Sequence, residues 1–175
     1  DIKVNADEFP IPRSNLDPFP RYKMPKLKTT VTGKTELNNL ALVANALQRP
    51  ADCMLQLFGL IDSFSFAKDF GYALGSATSF KNNQYMIHGK PSMKELLETL
   101  DVFIDKYVLC STCTLPETIM IVHKGKLSVE CMGCSAITLV PHNHKIVDFM
   151  EKNPPDNTKW LKKYKDLQKD PFSGF

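Results

Sequence analysis

Apolar residues change their spacing several times along this chain, and each change marks a new element. From Leu27 an alternating, β-branched stretch, Leu-Lys-Thr-Thr-Val-Thr, reads as a strand ending near Gly33. Leu40, Val43, Ala44 and Leu47 then recur at helical spacing, with Asn38 or Asn39 placed to cap the helix and Pro50 marking its exit. The strongly apolar run from Ala51 to Phe66 is expected to be helical in part, with an interruption around Gly59. Thr78 to Phe80 and Gln84 to His88 read as a hairpin turned by Lys81, Asn82 and Asn83. The clearest helix begins at Ser92, with Glu95 completing a capping box. Met93, Leu96, Leu97, Leu100, Phe103, Ile104 and Tyr107 form its apolar face. Beyond it, Thr118 to Val122, Lys126 to Cys131 and Ile137 to Val140 read as three short strands, and Asn153-Pro-Pro-Asp156 breaks regular structure. Strands and helices mixed in this order predict an α+β fold.

Both ends depart from this pattern. Residues 1–25 hold five of the twelve prolines, which deny the segment a regular helix or an interior strand, so an extended arm is expected. Phe9, Phe19 and Tyr22 give that arm groups able to dock. At the other end, Trp160, Leu161 and Tyr164 are compatible with a short amphipathic helix, and equally with a linker.

Charge adds a polarity that the total of +3 over 175 residues conceals. Arg21, Lys23, Lys26, Lys28 and Lys34 lie in a stretch without an acid, and Lys159, Lys162, Lys163, Lys165 and Lys169 are interrupted only by Asp166. Each run reads either as a solvated face or, with Tyr22 and Trp160 expected to be exposed beside it, as a contact for RNA or a nucleotide-bearing partner. No apolar run approaches the roughly 20 residues that cross a bilayer, and the first residues lack the apolar centre of a secretory signal. The expected compartment is the cytoplasm, with no membrane partner.

The strongest chemical signal is the spacing Cys110-Ser-Thr-Cys113 and Cys131-Met-Gly-Cys134. Each pair presents two thiolates from a tight turn, and four complete a tetrahedral zinc shell with no open position, so the ion is structural. Two disulfides could use the same residues, but the fifth thiol at Cys53 and the absence of a signal peptide point to a reduced protein. A redox dithiol calls for one Cys-x-x-Cys rather than two. His88, His123, His142 and His144 form no ligand spacing, which argues against a metalloenzyme.

Taken together, Asp17-Pro-Phe-Pro-Arg-Tyr-Lys-Met-Pro25, Ala46-Leu-Gln-Arg-Pro50, Lys68-Asp-Phe-Gly-Tyr-Ala-Leu-Gly75, Tyr107-Val-Leu-Cys110, Leu115-Pro-Glu-Thr118 and Lys152-Asn-Pro-Pro155 resemble, in order and approximate spacing, the N-terminal domain of the eukaryotic translation initiation factor 5 family. The β subunit of eukaryotic initiation factor 2 looks like a relative that lacks the arm Asp17 to Pro25. The resemblance implies an extended arm over residues 1–26 and an initiation-factor-1-like α/β body over residues 27–107, with an insertion at about 51–67. A four-cysteine zinc ribbon over residues 108–152 and a Lys-rich linker or tail over residues 153–175 would follow.

It further implies a GTPase-activating protein for initiation factor 2 in the 43S/48S ribosomal pre-initiation complex, without an active site of its own, coupling GTP hydrolysis to start-codon recognition. Arg21 matches the family's arginine finger, with Lys34 and Lys68 at supporting positions. GTP and Mg²⁺ would belong to the partner GTPase. The implied partners are the γ and β subunits of initiation factor 2, small-subunit ribosomal RNA, initiator tRNA and other initiation factors. The competing function is a non-catalytic RNA- or tRNA-binding module in the manner of the β subunit. Two departures from the family are the shortened turn at Gly33-Lys34 and the insertion, read either as an extra helix covering the body or as a contact surface. The start at Asp1 rather than methionine is compatible with a fragment or the ordered part of a longer protein.

Overall fold

A computed structural model describes residues 7–59, 78–142 and 144–169. The Pro-rich arm does form a ladder: β1 (Glu8–Pro10) pairs antiparallel with β2 (Lys23–Pro25), Phe9 opposite Met24. Its prolines, Pro10 and Pro25, sit at strand ends where a missing N–H costs little. The ladder is extended by Ile11 N donating to Tyr22 O (2.9 Å), and Ile11 and Met24 are buried against the body. The intervening loop faces solvent, with Leu16 94% and Phe19 53% exposed.

The body is built on a four-stranded antiparallel sheet ordered β3-β4-β6-β5, from β3 (Thr29–Val31), β4 (Thr35–Leu37), β5 (Thr78–Lys81) and β6 (Gln84–Ile87). Asn82 and Asn83 turn the β5–β6 hairpin with φ of 52° and 60°, a left-handed pair that asparagine accepts. Helix α1 (Leu40–Ala46) buries Leu40, Val43 and Ala44. Asn39 stands at its N-cap, but the side chain does not cap the helix as the sequence suggested. It accepts from Lys28 N (2.8 Å) and donates to Lys26 O (2.6 Å), which ties the arm's exit to the helix start.

Helix α2 (Ala51–Gly59) buries Cys53, Met54, Leu55, Leu57 and Phe58, and packs on α1 and β6. These core side chains fall within the segment expected to be an insertion. Each such side chain contributes about 1.5–3 kcal/mol of burial. The remainder of the expected insertion, with Leu60, Ile61, Phe64 and Phe66, and Lys68 just after it lie outside the described residues.

Helix α3 (Met93–Phe103) has the expected capping box: Glu95 N donates to Ser92 Oγ (3.2 Å), and Ser92 N donates to Glu95 Oε2 (2.8 Å). Met93 lies at the rim, while Leu96, Leu100 and Phe103 are buried. The helix ends in a wider turn over Ile104–Val108, where Leu109 N reaches back five residues to Ile104 O (2.9 Å).

The three expected strands follow as β7 (Thr118–His123), β8 (Lys126–Cys131) and β9 (Ile137–Leu139), antiparallel in that order. Helix α4 (Lys145–Lys152), which the sequence pattern does not announce, buries Ile146, Val147 and Met150 against β8 and α2. The tail is helical as α5 (Thr158–Lys169). Trp160, expected to be exposed, is 7% exposed, and Tyr22 is half-buried against the core. These rings are bound into the fold and are not open stacking platforms.

Arg49 joins the parts. Helix α1 closes with Gln48 in the left-handed region (φ 56°), Arg49 N donating to Ala44 O (2.9 Å) and Gln48 N to Asn45 O (3.1 Å), the two bonds of a Schellman motif. This turn sends the Arg49 side chain inward, where the residue is 1% exposed. Nη1 donates to the carbonyls of Leu47 (3.1 Å), Gln48 (3.0 Å) and Thr118 (2.8 Å), and Nη2 to Tyr107 O (2.5 Å) and Thr118 Oγ1 (2.9 Å). The Thr118 hydroxyl in turn donates to Val108 O. One guanidinium thus serves the α1–α2 turn, the end of α3 and the first strand of the cysteine-bearing sheet.

Replacing Arg49 with alanine strands these buried acceptors, so we expect a loss of about 4 kcal/mol or more. Arg49→Lys is expected to recover only part of it, because an ammonium lacks the planar fork. Urea unfolding followed by circular dichroism measures both.

Candidate metal centre and arginine cleft

The two Cys-x-x-Cys turns are built alike. Thr114 N donates to Cys110 O (2.9 Å) and Cys110 N to Leu115 O (3.0 Å); at the second turn Ser135 N donates to Cys131 O (3.0 Å) and Cys131 N to Ala136 O (2.9 Å). Thr114 and Ser135 occupy the same place in each turn with φ of 61° and 65°. The resulting curl aims N–H groups at sulfur: Thr112 N lies 3.4 Å from Cys110 Sγ, and Cys134 N lies 3.4 Å from Cys131 Sγ.

All four sulfurs lie within 4.8 Å of one another, with Cys110 to Cys134 at 3.6 Å and Cys113 to Cys131 at 3.7 Å. A tetrahedral ZnS₄ shell with bonds of about 2.3 Å has sulfurs about 3.8 Å apart, and a disulfide needs about 2.05 Å. The cluster could hold a metal ion and its spacing is compatible with zinc. The surroundings push the individual thiols in opposite directions. Burial acts upward on the Cys110 thiol, but donation from the N–H groups of Cys113 and Thr112 brings it down to about 6. Burial pushes Cys131 up to about 12. Four thiolates at this density call for a cation. Cys53 stands apart, buried in α2, its thiol pushed up to about 12 by burial against the opposing charge of Arg49.

A second group brings histidine and acids together where the sequence showed no ligand spacing. His142 Nε2 lies 2.7 Å from Asp148 Oδ1, and its Nδ1 lies 3.0 Å from Glu151 Oε2. With a carboxylate oxygen against each ring nitrogen, His142 bridges the β9–α4 loop and α4.

Arg21 lies at the mouth of a cleft of about 580 Å³ that the sequence could not outline. The cleft is walled by Tyr22 and Lys23 of the arm, Asn45 and Gln48 of the α1 end, Pro116 and Glu117 before β7, and Lys159 and Trp160 of α5. The Arg21 side chain is 79% exposed; its guanidinium stands 5.5 Å from the Tyr22 ring, and Nη2 stands 3.7 Å from Glu117 Oε1. Tyr22 donates its hydroxyl proton to the same Glu117 oxygen. Lys159 donates to Asn45 Oδ1 (2.6 Å), which brings α5 over the cleft.

Of the other expected site residues, Lys34 is exposed in the β3–β4 turn beside Gly33 (φ 80°) and is not part of the cleft wall. Lys68 lies outside the described residues. Arg13 pairs with Asp101 (3.1 Å) and stands over Phe9, a docking contact between arm and α3. Glu117 and Gly133 escaped the sequence reading, although Glu117 lies inside the Leu115-Pro-Glu-Thr118 motif.

We expect one zinc per purified chain by elemental analysis. Cys131→Ser should lose it, and Cys53→Ala should retain it. In the zinc-loaded chain no thiol should react quickly with a thiol reagent at pH 8. Chelation is expected to release the four clustered cysteines first, with Cys53 reacting only after denaturation.

Among known proteins, the family described as a domain found in initiation factors 2B and 5 matches residues 12–137. The eukaryotic translation initiation factor 5 of Caenorhabditis elegans is 37% identical over 150 residues, covering 82% of this chain and 32% of that protein. That of Saccharomyces cerevisiae is 37% identical over 159 residues (86% and 36%), and that of Drosophila melanogaster 39% over 152 residues (82% and 30%). This chain therefore spans about a third of the length of these relatives. Most of the chain, arm to third ribbon strand, carries the likeness, and the chain belongs to the eukaryotic translation initiation factor 5 family, matching its N-terminal domain.

Proposed function

We propose that this chain is a translation initiation factor that activates GTP hydrolysis by initiation factor 2 in the ribosomal pre-initiation complex, with Arg21 as a finger supplied in trans. The observation that carries the reading is the placement of Arg21 in a member of this family. Its side chain is 79% exposed, on an arm whose neighbouring residues are held by the fold. An arginine that must reach into another protein's site needs an exposed head and a fixed root.

Delivered to a GTP and Mg²⁺ held by the partner, the guanidinium would neutralise charge developing on the transferring phosphoryl group, an effect of about 10³ to 10⁵ in rate in GTPases generally. Leu16 and Phe19, exposed on the same loop, supply apolar surface for the γ or β subunit of the partner. Lys34 is a supporting contact, and Lys68 keeps the same proposed role. Zinc held by Cys110, Cys113, Cys131 and Cys134 would be structural, fixing the two turns and leaving no vacancy for catalysis. The body, which we take to be initiation-factor-1-like, and the ribbon would rest on small-subunit RNA, initiator tRNA and other initiation factors, in the cytoplasm. Lys28, Lys34, Lys159, Lys162 and Lys165 are exposed for such phosphate contacts. The coupling of hydrolysis to start-codon recognition would then be positional.

Single-turnover GTP hydrolysis by initiation factor 2 in a reconstituted pre-initiation complex tests the reading. Arg21→Ala and Arg21→Lys are both expected to lose stimulation by about 10³-fold with binding to the complex unchanged, since lysine lacks the bidentate fork. Undiminished stimulation would remove Arg21 from the mechanism. Absence of stimulation by the unaltered chain, with binding intact, would favour the non-catalytic RNA- or tRNA-binding module.

A further inference from the structure

Glu117 lies where the arm meets the cysteine-bearing turns. Its carbonyl accepts from Met132 N (2.7 Å), inside the second Cys-x-x-Cys turn. Its carboxylate rests against Gly133 of that turn, so closely that a Cβ there would stand 2.7 Å from Oε2. The other oxygen, Oε1, accepts the Tyr22 hydroxyl and faces Arg21 Nη2 at 3.7 Å. The Glu117 side chain is 21% exposed, against 79% for Arg21.

The two contacts of Oε1 differ in worth. An ion pair at 3.7 Å to a largely exposed guanidinium is weak, because water screens it and the long side chain loses freedom. A tyrosine hydroxyl bonded to a carboxylate on a half-buried ring is a charge-assisted bond to a group of few rotamers. Tyr22 O also receives Ile11 N (2.9 Å), so fixing the ring fixes the ladder at the root of Arg21. We infer that Glu117 is a positioning residue for Arg21. Seated on Gly133 of the second cysteine turn, it clamps Tyr22 and so sets where the arm presents the neighbouring guanidinium. This role rests on Arg21 being the acting cation.

Four variants of the zinc-loaded chain separate the contacts. Tyr22→Phe removes the hydroxyl, and Glu117→Ala removes the acceptor. Glu117→Gln keeps an accepting oxygen without the charge. Gly133→Ala pushes the carboxylate aside by direct contact, and because the displaced atom ends a flexible side chain and the Cys131 sulfur stays at an ordinary 3.6 Å, the cysteine turn should keep its shape. Amide hydrogen exchange at Ile11 reads the anchor without any GTPase. Tyr22→Phe, Glu117→Ala and Gly133→Ala are each expected to accelerate it about tenfold, the size of one lost charged hydrogen bond. The Tyr22→Phe, Glu117→Ala double variant should be no faster than either single one. Glu117→Gln, which keeps a weaker neutral bond, should fall between the parent and Glu117→Ala. Zinc content and exchange at Leu96 in α3 should not change, which excludes general unfolding.

In the hydrolysis assay, Tyr22→Phe and Glu117→Ala should lower the maximal stimulated rate about tenfold, with the half-saturating concentration of the chain unchanged and Glu117→Gln partly rescued. Unchanged exchange at Ile11, or effects that add in the double variant, would overturn the clamp. Accelerated exchange with an unaltered maximal rate, where Arg21→Ala abolishes stimulation, would overturn its positioning role. A rate indifferent to Arg21→Ala would instead sink the arginine-finger reading, and with it the clamp's purpose, while the exchange data alone would still decide whether the clamp exists.

Discussion

A guanidinium buried among backbone carbonyl oxygens is the keystone, and the rest of this structure is arranged to supply it. Desolvating the charge of Arg49 is costly, and the compensation is a ring of carbonyl oxygens whose own burial would otherwise be costly. Each carbonyl comes from a place where regular structure ends: the close of α1, the last turn of α3, the first residue of β7. Orphan acceptors accumulate at such ends, and one side chain answers several of them together. The body and the cysteine-bearing sheet consequently share a polar joint as well as an apolar one, the latter running from Leu100 and Phe103 to Met120, Leu127 and Val129.

What could be read from the sequence was what is decided locally. The capping box at Ser92, the Asn-Asn turn of the β5–β6 hairpin and the two cysteine turns each depend on a few consecutive residues, and all stand as expected. Features that depend on distant partners were hidden. The arm's ladder needs Ile11 and Met24 to find the core, and its prolines argued only against an interior strand, leaving the pairing of an extended arm unannounced. Helix α4 starts at a histidine whose Nδ1 accepts from Ile146 N (3.1 Å), a cap outside the usual set, and is too short for a clear period. Trp160 looked like a surface ring in a lysine-rich tail until Asn157 docked on Met120 O and Lys159 on Asn45.

The same division holds at the candidate site. Four cysteines announce themselves by spacing, because the chemistry of one ion dictates it. Arg21 was singled out only through its family context, since one arginine in a basic run carries no local signature. Glu117 and Gly133 are legible only in three dimensions: a carboxylate becomes a clamp when an arm from ninety-odd residues earlier returns to meet it. Residues 116–118 thereby face two ways, Glu117 toward the arm and Thr118 toward Arg49, so adjacent side chains serve the exposed arginine and the buried joint.

The widened turn at Ile104–Val108 acts as a phase adjuster for the whole second half of the chain. An α-helix advances by about 100° per residue, so a single residue accommodated as a bulge rotates everything beyond it by more than a quarter turn. Here that rotation faces Tyr107 O toward Arg49 and delivers Cys110 two residues past the bulge to the other sulfurs. Losing one residue from this segment would restore an ideal helix locally and yet swing Cys110 out of the tetrahedron. The same loss at the Lys124–Gly125 turn would shorten only a hairpin tip. Indel tolerance in this chain is therefore governed by angular phase, and the least ideal stretch of helix is where length is most tightly constrained.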